Sequence, residues 1–273
     1  MRQETHNASV RPPAVAGLFY PADAAQLRDA VAQYLNAPAP DNPRESPKAL
    51  IVPHAGYVYS GSVAAAAYAA IASRRESIRH VVVIGPSHRV YLRGIAVPEW
   101  SSFATPLGTV TVDREGSSRL LKSGDVIAAN APHANEHCLE VQLPFLQTLL
   151  DDFTLLPLVV GAATPQHVAS VLASVWGDAD TLVLISSDLS HYHPYAVAQQ
   201  MDAATSDSIL RRATDLTGEQ ACGAACINGL LHFAREQELD VTQILRLNSG
   251  DTAGDRSRVV GYGAFAIYEP ARA

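Results

Sequence analysis

Three short apolar runs pass directly into polar, histidine-bearing loops: ALIVP before HAGY (49–57), HVVVIGP before SHR (80–89) and TLVLISSD before LSH (181–191). Each run has the length and unbroken apolarity of a strand buried on both faces, as in a parallel sheet. Parallel strands release the chain on one common side, and in open α/β sheets ligands bind outside the carboxyl ends of the strands. His54, His88, Asp188 and His191, far apart in sequence, are therefore expected at one rim. Three histidines and a carboxylate converging there suit a metal site better than an accident of packing.

The rest of the pattern alternates strands and helices. Helical periodicity or composition predicts helices over 23–35, with Asp23 as N-cap, and over 61–73, 114–122, 164–176, 195–212 and 217–237. A further helix over 139–150 meets Pro144, which predicts a kink or a later start. Strands are expected at 94–98 and 108–113, as an antiparallel edge, and at 153–160, 241–248 and 259–268. This order predicts an α/β fold, a central sheet with helices on both faces. Residues 1–13 are polar, end in Pro12-Pro13 and read as a loose arm, and 37–48 reads as a proline-rich surface connection.

Composition narrows the function classes. The chain has 273 residues, of which 48% are hydrophobic, enough for one sizeable core. Its formal net charge is −7 and it has no basic tract, which argues against nucleic acid or an anionic membrane as the main partner. No run approaches a membrane span. The opening MRQETHNASVRPPAV lacks the apolar core of a signal peptide. Three cysteines without a small-scaffold spacing read as reduced thiols, so the expected compartment is cytoplasmic.

Several residues could carry chemistry. His54 follows Pro53 and precedes Ala55-Gly56, so its imidazole either projects into a cleft or bonds the backbone of a turn. His88, in GPSHR, is equally ambiguous alone, and the two placements reinforce each other. Asp188 and His191 are three apart and face one side on a turn or on the first turn of a helix; one would ligate a metal while the other orients it or moves a proton, and Asp188 could also cap a helix. His193 is expected at the surface. In EHCLE, His137 and Glu140 have helical spacing, either lining a pocket or with Glu140 as a buried partner for a basic residue. Cys222 and Cys226 are four apart on the predicted 217–237 helix. Cys226 and Cys138 read as small hydrophobes, and spacing leaves Cys222 undecided. No P-loop, G-x-S-x-G elbow or dinucleotide fingerprint occurs.

Together, AGLFYPAD, PHAGYVYSG, GPSHR, EHCLEVQLPFL, SSDLSH, CGAACINGLL and GYGAFAIY resemble the Memo family, often called AmmeMemoRadiSam system protein B in bacteria and archaea. The motifs run from about Val15 to Tyr268 in the family's order. The resemblance implies one αβα domain over 1–273, with a mostly parallel or mixed central sheet, as in class III extradiol ring-cleaving dioxygenases. Those enzymes hold Fe(II) with two His and one carboxylate. Carried over, His54 and His88 are metal ligands and Cys222 stands in the carboxylate's place. His191 matches the acid/base histidine, Asp188 the aspartate of the same motif, and Tyr59 and Glu140 pocket-side positions; these two, with His137 from its spacing to Glu140, are the expected substrate-binding residues.

The implied cofactor is a divalent metal, Fe(II) first, with copper or zinc also compatible with a thiolate. The implied activity is that of a metal-dependent oxidoreductase on a small or peptidyl substrate. Two alternatives stand beside it: a ligand- or peptide-binding scaffold using the same cleft, and a metal-assisted hydrolase. The family's bacterial name implies an association with a radical-SAM protein and an AMMECR1-like protein.

Overall fold

The computed structural model describes residues 9–37 and 46–270. Most of the expected loose arm (1–8) and of the proline-rich connection (38–45) lies outside these residues. The chain begins with β1 (Val10–Arg11) and α1 (Ala24–Leu35), whose N-cap Asp23 accepts the Ala25 and Gln26 N–H groups at 3.0 and 2.9 Å. Then come β2 (Ala49–Val52) and α2 (Tyr57–Ala69), followed by β3 (His80–Pro86). Next are β4 (Ile95–Val97), β5 (Ser102–Thr105), β6 (Gly108–Thr111), α3 (Arg114–Ser123), β7 (Ile127–Ala128) and α4 (Ala131–Ala134). α5 (Leu143–Leu149) precedes β8 (Thr154–Val160), α6 (Pro165–Val175), β9 (Thr181–Ser186) and β10 (His191–His193). The chain closes with α7 (Tyr195–Leu210), α8 (Ala224–Glu236), β11 (Asp240–Asn248) and β12 (Val259–Tyr268).

The fold is a single α/β domain. Its main sheet runs β10-β12-β2-β9-β3-β8-β4-β7, with β11 also on β12. The neighbours β2, β9, β3 and β8 are parallel, while β12 and β4 join this block antiparallel from either side. Because successive strand residues face opposite sides, the unbroken apolar runs serve two cores at once. Leu50, Val81, Val83, Leu182 and Leu184 pack with Leu27, Val63, Tyr68 and Phe145 of α1, α2 and α5. Ile51, Val82, Ile84, Val183 and Ile185 pack with Val168, Leu172, Ile227 and Leu230 of α6 and α8. Among the described residues no helix is long and apolar enough to cross a membrane.

Several expectations need correction. Residues 9–13 are not part of a loose arm: β1 pairs with β5, and the Arg11 side chain is fully buried against acceptors described below. β6 does not edge the main sheet but closes a small sheet, β1-β5-β6. α2 starts four residues early, at Tyr57. The 139–150 segment resolves Pro144 by a late start: a 3₁₀ turn (Glu140–Gln142) leads into α5, with Pro144 in its first turn, where a missing N–H costs nothing. The predicted 217–237 helix begins only at Ala224, so Cys222 lies in the turn before it and shares no helical face with Cys226.

Candidate metal centre

The parallel strands β2, β3 and β9 end together, and their loops build the site. Beyond β2, Pro53 ends the ladder and the buried His54 turns inward. Its N–H donates to Asp188 Oδ1 at 2.7 Å, tying the β2 loop to the β9 loop. Its Nδ1 lies 2.9 Å from Ser186 Oγ and its Nε2 3.3 Å from Cys222 Sγ. Beyond β3, His88 is held twice by Glu136: its N–H donates to Oε2 at 2.7 Å, and its Nδ1 lies 2.9 Å from Oε1. The carboxylate fixes the ring with Nε2 as its outward atom.

Cys222 comes from the far side of the sheet. Its N–H donates to the Asp188 carbonyl, and the Asp188 N–H donates to its sulfur, both at 3.3 Å. The next residue, Gly223, donates its N–H to Ser187 Oγ at 2.9 Å. A Cβ on Gly223 would sit 2.7 Å from Ser187 Cβ, so only glycine lets this turn close on the end of β9. The ligand atoms of His54, His88 and Cys222 all lie within 4.8 Å of one another. A metal at about 2.1 Å from nitrogen and 2.3 Å from sulfur sets N and S about 3.1–3.6 Å apart at angles between square and tetrahedral. The His54–Cys222 separation falls within that range and His88 stands within 4.8 Å of both, so two imidazoles and one thiol are gathered where they could hold a metal ion.

Burial governs the charges. It holds the His54 imidazole well below its ordinary range, with the neighbouring His137 and His88 adding to the effect, so His54 is neutral. It pushes the Cys222 thiol up to about 12, helped by the Asp188 charge, and it raises Asp188. Burial alone would raise Glu136 too, but its contacts with the His137 and His88 rings outweigh that and keep it ionised.

Around this centre stand the other predicted residues. His137 stacks on His88 with centroids 4.8 Å apart, meets His54 edge-on at 5.2 Å and leans on Phe19 at 4.8 Å. His191 Nδ1 lies 2.9 Å from the Leu189 carbonyl. Since that oxygen can only accept, Nδ1 carries the hydrogen and Nε2 is free. Asp188 and His191 do not open a helical turn: His191 starts β10, whose Tyr192 takes a left-handed φ of 62°. Asp188 is no helix cap either, since its carboxylate accepts from His54. A cavity of about 720 Å³ contains His54, His88, Cys222 and Arg89; His193, expected at the surface, is half-buried on its wall. A second of about 460 Å³ adjoins it, bounded by Tyr59, Leu18 and Arg258. Phe19, His137, Asp188, His191 and Tyr192 line both.

Glu140 stands apart. It lines neither cavity and is fully buried. Arg11 donates to its Oε2 at 2.6 Å, the Ala14 and Val15 N–H groups donate at 2.7 and 3.0 Å, and Tyr20 Oη donates at 2.5 Å. His137 and Glu140 therefore part company: His137 lines both cavities and Glu140, which opens a 3₁₀ turn, lines neither. Arg11 also donates to the His133 and Glu136 carbonyls at 2.7 and 2.6 Å, so the pair clamps the loop that carries Glu136. Sequence reasoning left Glu136, Ser186 and Gln142 out of the site. Glu136 had one signal, a carboxylate beside His137; nothing local marked Ser186 or Gln142.

The comparisons agree with this architecture. The family described as Memo-like protein matches residues 11–266. A MEMO1 family protein of Ignicoccus hospitalis is 39% identical, over 93% of this chain and 97% of its own. Those of Metallosphaera sedula and Aquifex aeolicus are 34% and 35% identical, over 92% and 93% of this chain and 97% of theirs. The crystal structure of the uncharacterized protein JW3007 from Escherichia coli K12 covers 79% of this chain and 98% of its own, with a TM-score of 0.50 and 11% identity, a likeness of fold alone. With the family matched across almost its whole length, the chain belongs to the Memo-like proteins.

Proposed function

We propose that the chain is a metal-dependent oxidoreductase of the non-haem, dioxygenase-like type, with His54, His88 and Cys222 as ligands and iron as the metal. The observation that carries this reading is the convergence of two imidazoles and a thiol at the carboxyl ends of parallel strands, beside a cleft holding further protonatable side chains. When bound, the ion would supply Lewis acidity or one-electron chemistry. Its thiolate ligand suits Fe(II), Cu(I) or zinc.

The chain's own residues divide the remaining work. Glu136 keeps the His88 ring in place through Nδ1. Asp188 holds the His54 backbone and, with its carboxyl raised by burial, can keep or release a proton at the cleft wall. His191 presents Nε2 as a proton acceptor, because Nδ1 is committed to the Leu189 carbonyl. His137, Phe19 and Tyr59 line the space for a substrate, with Phe19 leaning on the His137 ring.

Elemental analysis of the purified protein tests the reading, with near-stoichiometric iron expected in the wild type and little in His54→Ala and Cys222→Ala. An oxygen electrode with candidate catechols then separates oxidation from hydrolysis. Wild-type protein without iron, copper or zinc would overturn the proposal.

A second reading, a ligand- or peptide-binding protein using the same cleft, has its own support. Leu18, Tyr59 and Tyr192, with 79%, 40% and 62% of their surface exposed, gather around the second cavity. Partner binding that survives loss of the metal ligands would favour it.

A further inference from the structure

The two imidazoles of the centre are oriented by chemically different partners. His88 leans on a carboxylate. Behind His54 there is no charge but a closed set of neutral groups, and the hydrogens in it can be assigned one by one. Tyr68 Oη lies 2.8 Å from Gln142 Oε1. Gln142 Nε2 lies 2.9 Å from the Pro53 carbonyl and 2.9 Å from Ser186 Oγ. A carbonyl only accepts, so the nitrogen of the amide must face Pro53, and its second hydrogen goes to Ser186. Ser186 Oγ in turn lies 2.6 Å from the Cys138 carbonyl, which takes the one hydrogen the hydroxyl has. What Ser186 offers to His54 Nδ1, at 2.9 Å, is therefore a lone pair. Nδ1 must carry the hydrogen, and Nε2 is left with its lone pair toward Cys222.

We propose that Tyr68, Gln142 and Ser186 form a buried hydrogen-ordering chain that locks His54 in the Nδ1–H tautomer and so keeps its Nε2 available to a metal. These are positioning residues: none of them lines the cleft. All three, like His54, are at most 1% exposed, so no water is at hand to repair a wrong order. The opposite tautomer would set two lone pairs against each other between Nδ1 and Ser186 Oγ. The arrangement also explains why Ser186, at the end of an apolar strand, is a serine: the site needs a group that donates once and accepts twice. The inference goes beyond the proposed function, and only its consequence for metal affinity rests on that reading.

The test uses the full chain in its metal-free form, labelled with ¹⁵N, and reads the long-range ¹⁵N–¹H correlations of the histidine rings, with His54 identified by its loss in His54→Ala. The expected result is an Nδ1–H pattern for His54. Ser186→Ala should bring up the Nε2–H form and weaken Co(II), followed by its thiolate absorption, by about 10–100-fold, the range for loss of an outer partner of a ligating histidine. Ser186→Thr, which keeps the hydroxyl, should retain both wild-type properties. A wild-type His54 in the Nε2–H form overturns the proposal, and so does Ser186→Ala with Co(II) affinity within about twofold of wild type. Should Ser186→Ala fail to fold, the wild-type spectrum decides alone. Should the wild type take up no Co(II), the metal reading of the site falls, while the tautomer stands or falls on its spectrum.

Discussion

Cys222 Sγ lies 3.3 Å from His54 Nε2, across 168 residues of sequence. The thiol, pushed up to about 12 by burial, is protonated in the metal-free protein, and the imidazole nitrogen it faces is neutral. A metal ion held by the two would take the place of the thiol proton.

Metal uptake should therefore release one proton from Cys222 and tighten with pH. Only the thiolate binds, and its fraction rises about tenfold per pH unit below a pKa of about 12. His54 is already neutral and contributes nothing to this dependence. Competition titrations with Zn(II) between about pH 7 and 9 should show close to one decade of affinity per unit. A flat profile would mean that the thiol is not a ligand.

Glu136→Gln should weaken metal binding by about 10–100-fold without removing it. The amide can still accept from His88 Nδ1 but no longer supplies the charge that anchors it. The substitution also takes away one of the two acceptor oxygens that Glu136 divides among His88, His137 and Cys138. Chelator competition measures the change, and unchanged affinity would remove Glu136 from the site.

Arg11→Leu should destabilise the fold by about 3–5 kcal/mol, because it leaves the Glu140 carboxylate buried without its charge partner. Urea unfolding of the metal-free protein measures this. The double variant Arg11→Leu with Glu140→Gln should recover part of the loss, since no charge is then left unpaired.

Acid should weaken the fold before the carboxylates titrate. Burial lowers His133 to about 4, only partly offset by its contact with the Ala96 carbonyl, and His54 is lowered in the same direction. Between about pH 6.5 and 4 the unfolded chain binds protons at these positions that the folded chain refuses. Their contribution is present above the unfolded value and is lost as pH falls through the folded one, on the order of 3 kcal/mol for His133. Thermal unfolding from about pH 7.5 down to about pH 4.5 should show a falling midpoint. His133→Gln should flatten the slope.

The sequence by itself determined the α/β fold and most of its elements. Unbroken apolar runs such as 181–186 have the pattern of strands covered on both faces, and β9 occupies that range. It also determined that His54 and His88 share one rim, since the loops that follow the parallel strands β2 and β3 both leave on the side where those strands end. Spacing could not decide Cys222. The family resemblance singled it out, but the helix expected to carry it starts only at Ala224, and a turn that only Gly223 can close brings the sulfur to the end of β9. The role of Glu140 and the partners Glu136, Ser186 and Gln142 were likewise decided in three dimensions. Local patterning records what each segment buries. It does not record which distant partner meets a given side chain, and those meetings hold the two imidazoles: the buried Ser186 beside His54 and Glu136 beside the partly exposed His88.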